Sequence, residues 1–216
     1  MKIPICGRHG DALFMLPLVE QAGPCEVLLQ ETMRGSGIAE LFLALPNVEA
    51  VDFGDPHCEE WPWGYSWKEP FQNHLARRYG VQPRLTCQTL DLAEYKAAKI
   101  PSDAILVHTL PSEPYREWHG WAEVQWPLPA IVSGGGTALP NAERLPPGFF
   151  EVARIMKRCR LAVTVNSSHM GLANALGVPH ITIYTSRDLR KQFVSTGTSL
   201  VNPDSARVTK TIRDTL

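Results

Sequence analysis

Short, near-continuous apolar runs alternate with amphipathic segments along this chain. Ile3 to Cys6 reads as a first strand. From Gly10-Asp11 a helix carries Leu13, Leu16 and Leu18 toward Gly23. "CEVLLQ" predicts a second strand, "GIAELFLAL" a helix and "VEAVDF" a third strand. The segment "DPHCEEWPWGYSWKEP", dense in Trp, Pro and Gly, reads as a loop. "FQNHLARRYGV" follows as a helix with Gly80 as its stop. Strand and helix in alternation are the mark of a parallel sheet with crossover helices.

The pattern then restarts. "DLAEYKAAK" predicts one more helix, and Pro101 marks a junction between a half covering residues 1–100 and a half covering 101–216. "AILVHT" opens the second half as a strand. The Trp-rich "YREWHGWAEVQW" interrupts the pattern, and "PAIVSGGG" restores it. "LPPGFFEVARIMKRC" reads as a helix, and "LAVTVNSSHMGLANALGVPHITIYT" as strand, helix and strand, with Gly177 and Pro179 ending the helix. A last helix is expected from Ser205 to Leu216. The predicted fold class is α/β: two small Rossmann-like halves with parallel sheets, facing each other across a cleft. Ligands of such sheets bind beyond the carboxyl ends of the strands. That rule selects the turns Gly7–Asp11, His108–Glu113, Ser133–Thr137, Asn166–Gly171 and Thr185–Asp188.

Composition narrows the function classes. The 216 residues are 44% hydrophobic and 20% charged, ordinary for a globular protein. A formal net charge of −1 provides no global field toward nucleic acid or an anionic membrane. The N-terminus lacks the apolar run of a signal peptide, and no stretch has the ~18 apolar residues of a spanning helix. Five scattered cysteines form no CxxC and no metal-ligand spacing. Cys6 and Cys159 read as packing residues, and a reducing cytoplasm fits. The six tryptophans fall into two sets, Trp61, Trp63 and Trp67, and Trp118, Trp121 and Trp126. Such aromatics more often staple irregular segments than bind sugars. "RGSGIAE" lacks the third glycine of a dinucleotide loop.

Two stretches carry chemistry. Leu161 to Val165 is apolar throughout, as a strand covered on both faces should be, and runs into Asn166-Ser167-Ser168-His169-Met170-Gly171. Any of the first three can cap the helix that follows. Its free N–H groups and two hydroxyls also suit a diphosphate. Near the N-terminus, "GRHGDALFMLPL" places Gly10 and Asp11 directly after a strand. A carboxylate at a helix start is an N-cap, and it is also an ionised base ready to accept a proton. Arg8 and His9 add donors on the same loop, and His108 stands at a strand end.

Together these stretches resemble the lipopolysaccharide heptosyltransferase family of inverting glycosyltransferases. The resemblance rests on Gly10, Asp11 and Pro17 near the start, and on Ser167, Leu172, Ala173, Ala175, Leu176, Gly177 and Pro179 near the end. "ILVHT" also looks like the strand that opens the family's second domain. Asn166 stands where the family usually has Asp, Ser168 where it has Gly, and Gly171 where it often has His. The chain would be a compact member. The resemblance implies a GT-B fold and a metal-independent reaction with no cofactor beyond a nucleotide-diphosphate sugar as donor. Asp11 would be the catalytic base. Arg8, His9, Gly10, His108, Arg116, Asn166, Ser167, Ser168, His169, Met170, Gly171 and Arg187 would be the substrate-binding residues. The acceptor would be a glycan or other hydroxyl compound, and the setting the cytoplasm of a bacterium or the product of a phage gene. Two other readings fit the same residues: a catalytically weak nucleotide-sugar-binding module, and a glycosyltransferase of modified DNA bases. The near-neutral charge weighs against the latter.

Overall fold

The computed structural model describes residues 1–56, 69–92, 103–111, 113–133, 139, 142–145 and 148–216. The loop carrying Trp61, Trp63 and Trp67, most of the expected "DLAEYKAAK" helix and the junction at Pro101 lie outside the described residues.

The first half builds a three-stranded parallel sheet from β1 (Lys2–Ile5), β2 (Cys25–Gln30) and β3 (Val48–Gly54), in that order. Its edge at β1 is protected locally. Pro4 has no N–H to offer a further strand, and the Tyr79 hydroxyl donates to the Pro4 carbonyl at 3.1 Å. Between these strands run α1 (His9–Val19) and α2 (Ile38–Leu43), and α3 (Phe71–Tyr79) follows. Gly80 ends α3 in the left-handed conformation, φ +65°, as its position predicted.

Helix α1 is unusual in having no polar face, since Ala12 through Val19 are all buried. A helix apolar all round must be covered all round, and the second half supplies the cover. There β4 (Ile105–His108), β5 (Ala130–Ser133), β6 (Glu143–Leu145), β7 (Leu161–Val165), β8 (His180–Tyr184) and β9 (Thr198–Val201) form one parallel sheet in the order β6-β5-β4-β7-β8-β9. Helices α4 (Phe149–Met156) and α5 (Ser168–Leu176) lie on the face toward α1. Helix α6 (Arg187–Gln192) precedes β9, and α7 (Ser205–Thr215) ends the chain on the other face.

The sheet sorts its side chains by alternation. Leu106, Ile131 and Ala162 face α1 and α5, while Ile105, Val107, Val132, Val163 and Val165 face α7. Trp118 and Trp121 fill that second face. They pack edge to face at 4.8 Å, and Trp118 Nε1 donates to the Pro203 carbonyl at 2.9 Å. This Trp set is therefore core. The first face is shared: one continuous apolar cluster runs from Ile3 and Leu13 through Leu172 and Tyr184 to Phe193. Its seam is the α1–α5 contact. A Cβ placed on Gly171 would lie 3.5 Å from the Phe14 ring and 3.6 Å from Leu13 Cβ, ordinary contact distances that place the two helices directly against each other here.

Three elements escape the sequence pattern: β6, α6 and β9, each short and half-exposed. Cys159 is a buried thiol, pushed up to about 11 by that burial. Cys6 is buried in the shared core, as expected of a packing residue, and is also half of a disulfide.

Candidate functional site

In the six-stranded sheet the strand order reverses between β4 and β7, and a crevice opens at such a reversal. β7 ends at Val165, and the Asn166 N–H still pairs with the Ile183 carbonyl at 3.0 Å. The chain then turns into α5, with Ser167 at the N-cap, extended at φ −148°. Ser167 makes no side-chain capping bond. Its Oγ, and Nδ2 of Asn166, are buried and find no hydrogen-bond partner among the described residues. Leaving such groups unpaired costs about 1–3 kcal/mol each.

Both residues line a cleft of about 830 Å3 between the halves. The opposite wall is the start of α1. A Cβ on Gly10 would lie 3.6 Å from Ser168 Cα, so the first turns of α1 and α5 touch. Asp11, in the first turn of α1, accepts the Arg8 N–H at 2.7 Å and lines the same cleft. Asp11 is therefore not the N-cap expected from the sequence, which is Arg8, but the third helical residue, whose carboxylate accepts the cap residue's N–H while lining the cleft. Burial raises the Asp11 carboxyl above its usual range. The Arg8 N–H and the charges of Arg8 and Arg116 pull the other way.

Arg116 reaches the cleft from a short turn after β4. The Thr185 hydroxyl anchors that turn by donating to the Tyr115 carbonyl at 2.8 Å. The Arg116 guanidinium lies 5.2 Å from the centre of the Phe193 ring, and its Nε is buried with no partner among the described residues. Arg8 pairs with Glu113 at the cleft mouth.

Of the residues expected to bind substrate, Arg8, His9, Gly10, Arg116, Asn166, Ser167 and Ser168 line this cleft with Asp11. Five others do not. His108 and His169 are buried behind it: His108 Nδ1 donates to the Ser133 carbonyl at 2.8 Å, and Ser133 Oγ shares a hydrogen bond of 2.7 Å with His169 Nε2. Burial pushes His108 down to about 4 and His169 well below its usual range, so both rings are neutral near pH 7. Met170 is fully buried, Gly171 packs on α1, and Arg187 lies in a separate depression beyond α6. Sequence reasoning missed Gln30 and Thr32, which line the cleft just past the carboxyl end of β2. The strand-end rule reaches them once β2 is included. It also missed Phe149, which stacks on His9 at 5.6 Å and lies 5.6 Å from the His169 ring. No local signal marks it. Among the described residues, no three His, Cys, Asp or Glu side chains converge as metal ligands, and no helix is long and apolar enough to cross a membrane.

Two all-parallel sheets joined through α1 and α5, with a cleft at their strand ends, define a GT-B-like glycosyltransferase fold. Solved structures similar to it include heptosyltransferases and a glycosyl transferase family 9 protein. E. coli heptosyltransferase WaaC with ADP superposes with a TM-score of 0.67 at 14% identity, over 100% of this chain and 99% of that one. A glycosyl transferase family 9 protein from Veillonella parvula gives 0.64 at 12% identity, over 99% and 90%. TibC from enterotoxigenic E. coli, described as an iron-containing dodecameric glycosyltransferase, gives 0.68 at 18%, over 94% of this chain and 62% of that one. No family model and no curated protein sequence matches the chain.

Proposed function

We propose that this protein is a metal-independent, inverting glycosyltransferase that moves a sugar from a nucleotide-diphosphate sugar to an acceptor hydroxyl. One observation carries the reading. A raised carboxyl, Asp11, and two orphaned buried polar groups, Asn166 Nδ2 and Ser167 Oγ, line one cleft at the start of α5. Diphosphate oxygens would satisfy these groups together with the first N–H groups of α5. Asp11 would take the proton of the acceptor hydroxyl as that oxygen attacks the anomeric carbon. The bond from that carbon to the diphosphate oxygen breaks, and the nucleoside diphosphate leaves with the electron pair. Arg116 and the helix N–H groups meet the charge that builds on the leaving oxygen, a role that needs no metal. Residues 1–100 would then face the acceptor and 101–216 hold the donor.

The bound ADP of the WaaC structure makes adenosine nucleotides the first donors to try. A thermal-shift screen against ADP, UDP, GDP and their sugars tests the donor site. A ligand at a hundred times its dissociation constant stabilises by roughly 2.7 kcal/mol. If no nucleotide shifts the melt, the donor site is not there. Sugar transfer that persists in Asp11→Ala would remove Asp11 as the base. Binding of a donor without turnover on any acceptor would leave a binding module.

A further inference from the structure

A second concavity, about 880 Å3, opens beside α6 and is lined by none of the cleft residues. Its walls are the end of β9, the turn into α6 and the start of α7. Arg187, Arg190, Lys191 and Arg207 all line it, and no carboxylate does among the described residues. Four cations in one depression are unexpected in a chain whose net charge is −1. Lys191 has a loose partner in Asp188 at 3.7 Å, whereas Arg187, Arg190 and Arg207 have no carboxylate partner among the described residues. Like charges gathered around one depression repel, and nothing in the core requires them, since all four side chains are exposed.

The remaining lining is polar and ordered. Ser186 Oγ accepts the Leu189 N–H at 3.2 Å, which leaves its own hydrogen free to donate. Asn202 sits at φ +43°, with its N–H on the Tyr184 carbonyl at 2.8 Å, and turns the chain from β9 toward α7. The first turn of α7 is already capped by Asp204, which accepts the Arg207 N–H at 2.7 Å, so the side chains rather than the helix end make the site.

We propose that this depression is an anion site for a compact phosphate or diphosphate group bearing two or more negative charges, separate from the cleft. Guanidinium groups match phosphate oxygens in bidentate pairs, and three unpaired arginines around one concavity supply that geometry. The site is concave, and Asp188 and Asp204 border it. A concave site lined by four cations suits a compact anion better than an extended polyanion such as duplex DNA or a flat anionic membrane. The depression does not share a lining residue with the cleft.

Isothermal titration of pyrophosphate into the intact chain tests the assignment. The wild type should show a saturable site that weakens at least tenfold in the double variant Arg190→Gln/Arg207→Gln and is kept in Ser167→Ala. Both arginines are exposed, so a circular-dichroism melt should show the double variant folded. An isotherm in the double variant that overlays the wild type overturns the proposal, as does loss of all pyrophosphate binding in Ser167→Ala. Phosphatidylglycerol vesicles or duplex DNA held more tightly than pyrophosphate, and released by the double variant, would also overturn it in favour of a macromolecular surface.

Discussion

The imidazoles of His108 and His169 stack face to face, their centroids 3.5 Å apart and their planes 10° from parallel. Contact this close is stable only while both rings are neutral, because protonating one ring brings a buried charge against the other. Burial is the first cause of the depressed His108 value, and His169 feels His108 in addition. A histidine whose folded value lies below 6.5 binds its proton more readily in the unfolded chain, so stability is lost as pH falls from about 6.5 toward 4. His108 alone accounts for roughly 3 kcal/mol over that range. His9 and His180, also held down by burial, act in the same direction. Urea melts at pH 7.5 and pH 5 should show this loss, with a shallower slope in His108→Gln. A stability independent of pH between those values would contradict the neutral stacked pair.

Asp11 behaves with the opposite sign. Its raised folded value means that the folded chain holds the proton more readily than the unfolded one, so this group favours folding as pH falls. Asp11→Asn should therefore fold at least as well as the wild type, because the amide oxygen can still accept the Arg8 N–H. Under the proposed mechanism it should lose about 10²- to 10⁴-fold in turnover with donor affinity retained. The acid limb of the wild-type pH–rate profile should lie above the usual carboxylate range. Transfer kinetics with a nucleotide-sugar check both points.

Ser167→Ala separates a binding role from a structural one. Removing a buried hydroxyl that has no partner should leave the unliganded chain as stable as before, or about 1 kcal/mol more so. Nucleoside diphosphate affinity should fall about tenfold, since a hydrogen bond to a charged oxygen is lost. A structural cap would show the reverse: lower stability and unchanged binding.

Gly37 holds the other wall of the cleft in place. It precedes α2 at φ +83°, and a Cβ there would lie 2.7 Å from the Phe150 nitrogen. The neighbouring Ser36 carbonyl accepts the Phe149 N–H at 2.7 Å, so this contact seats the ring that stacks on His9. Gly37→Ala should cost about 3 kcal/mol from backbone strain and overpacking together, and thermal unfolding measures it.

How much of this was written in the sequence depends on range. Strands β4, β7 and β8 are buried on both faces, and their apolar runs announce them. Helix α3 announces its end through Gly80. β6 and β9 are three and four residues long at the sheet edges, where half-exposure blurs the pattern. Within the site, the residues contributed by a strand end or helix start were legible: Asp11 after β1, and Asn166 and Ser167 after β7. His108 and His169 were legible as residues of the right turns. That they face inward and pair with each other depends on Ser133, 25 and 36 positions away respectively, which no local pattern reports. Arg187 follows β8 as the strand-end rule asks, yet α6 turns it away from the cleft.

The glycine seam between α1 and α5 has one more consequence. Asp11 rides at the start of one helix and the orphaned polar groups at the start of the other, so the gap between them is gauged by core packing. Gly171, one turn further along, is where α5 packs against Leu13 and Phe14 of α1. A side chain larger than alanine there would press on Leu13 and on Phe14, whose ring itself lines the cleft. The site's tolerance is therefore that of a close-packed interior, and evolution could not retune the spacing without first rebuilding the core beneath it.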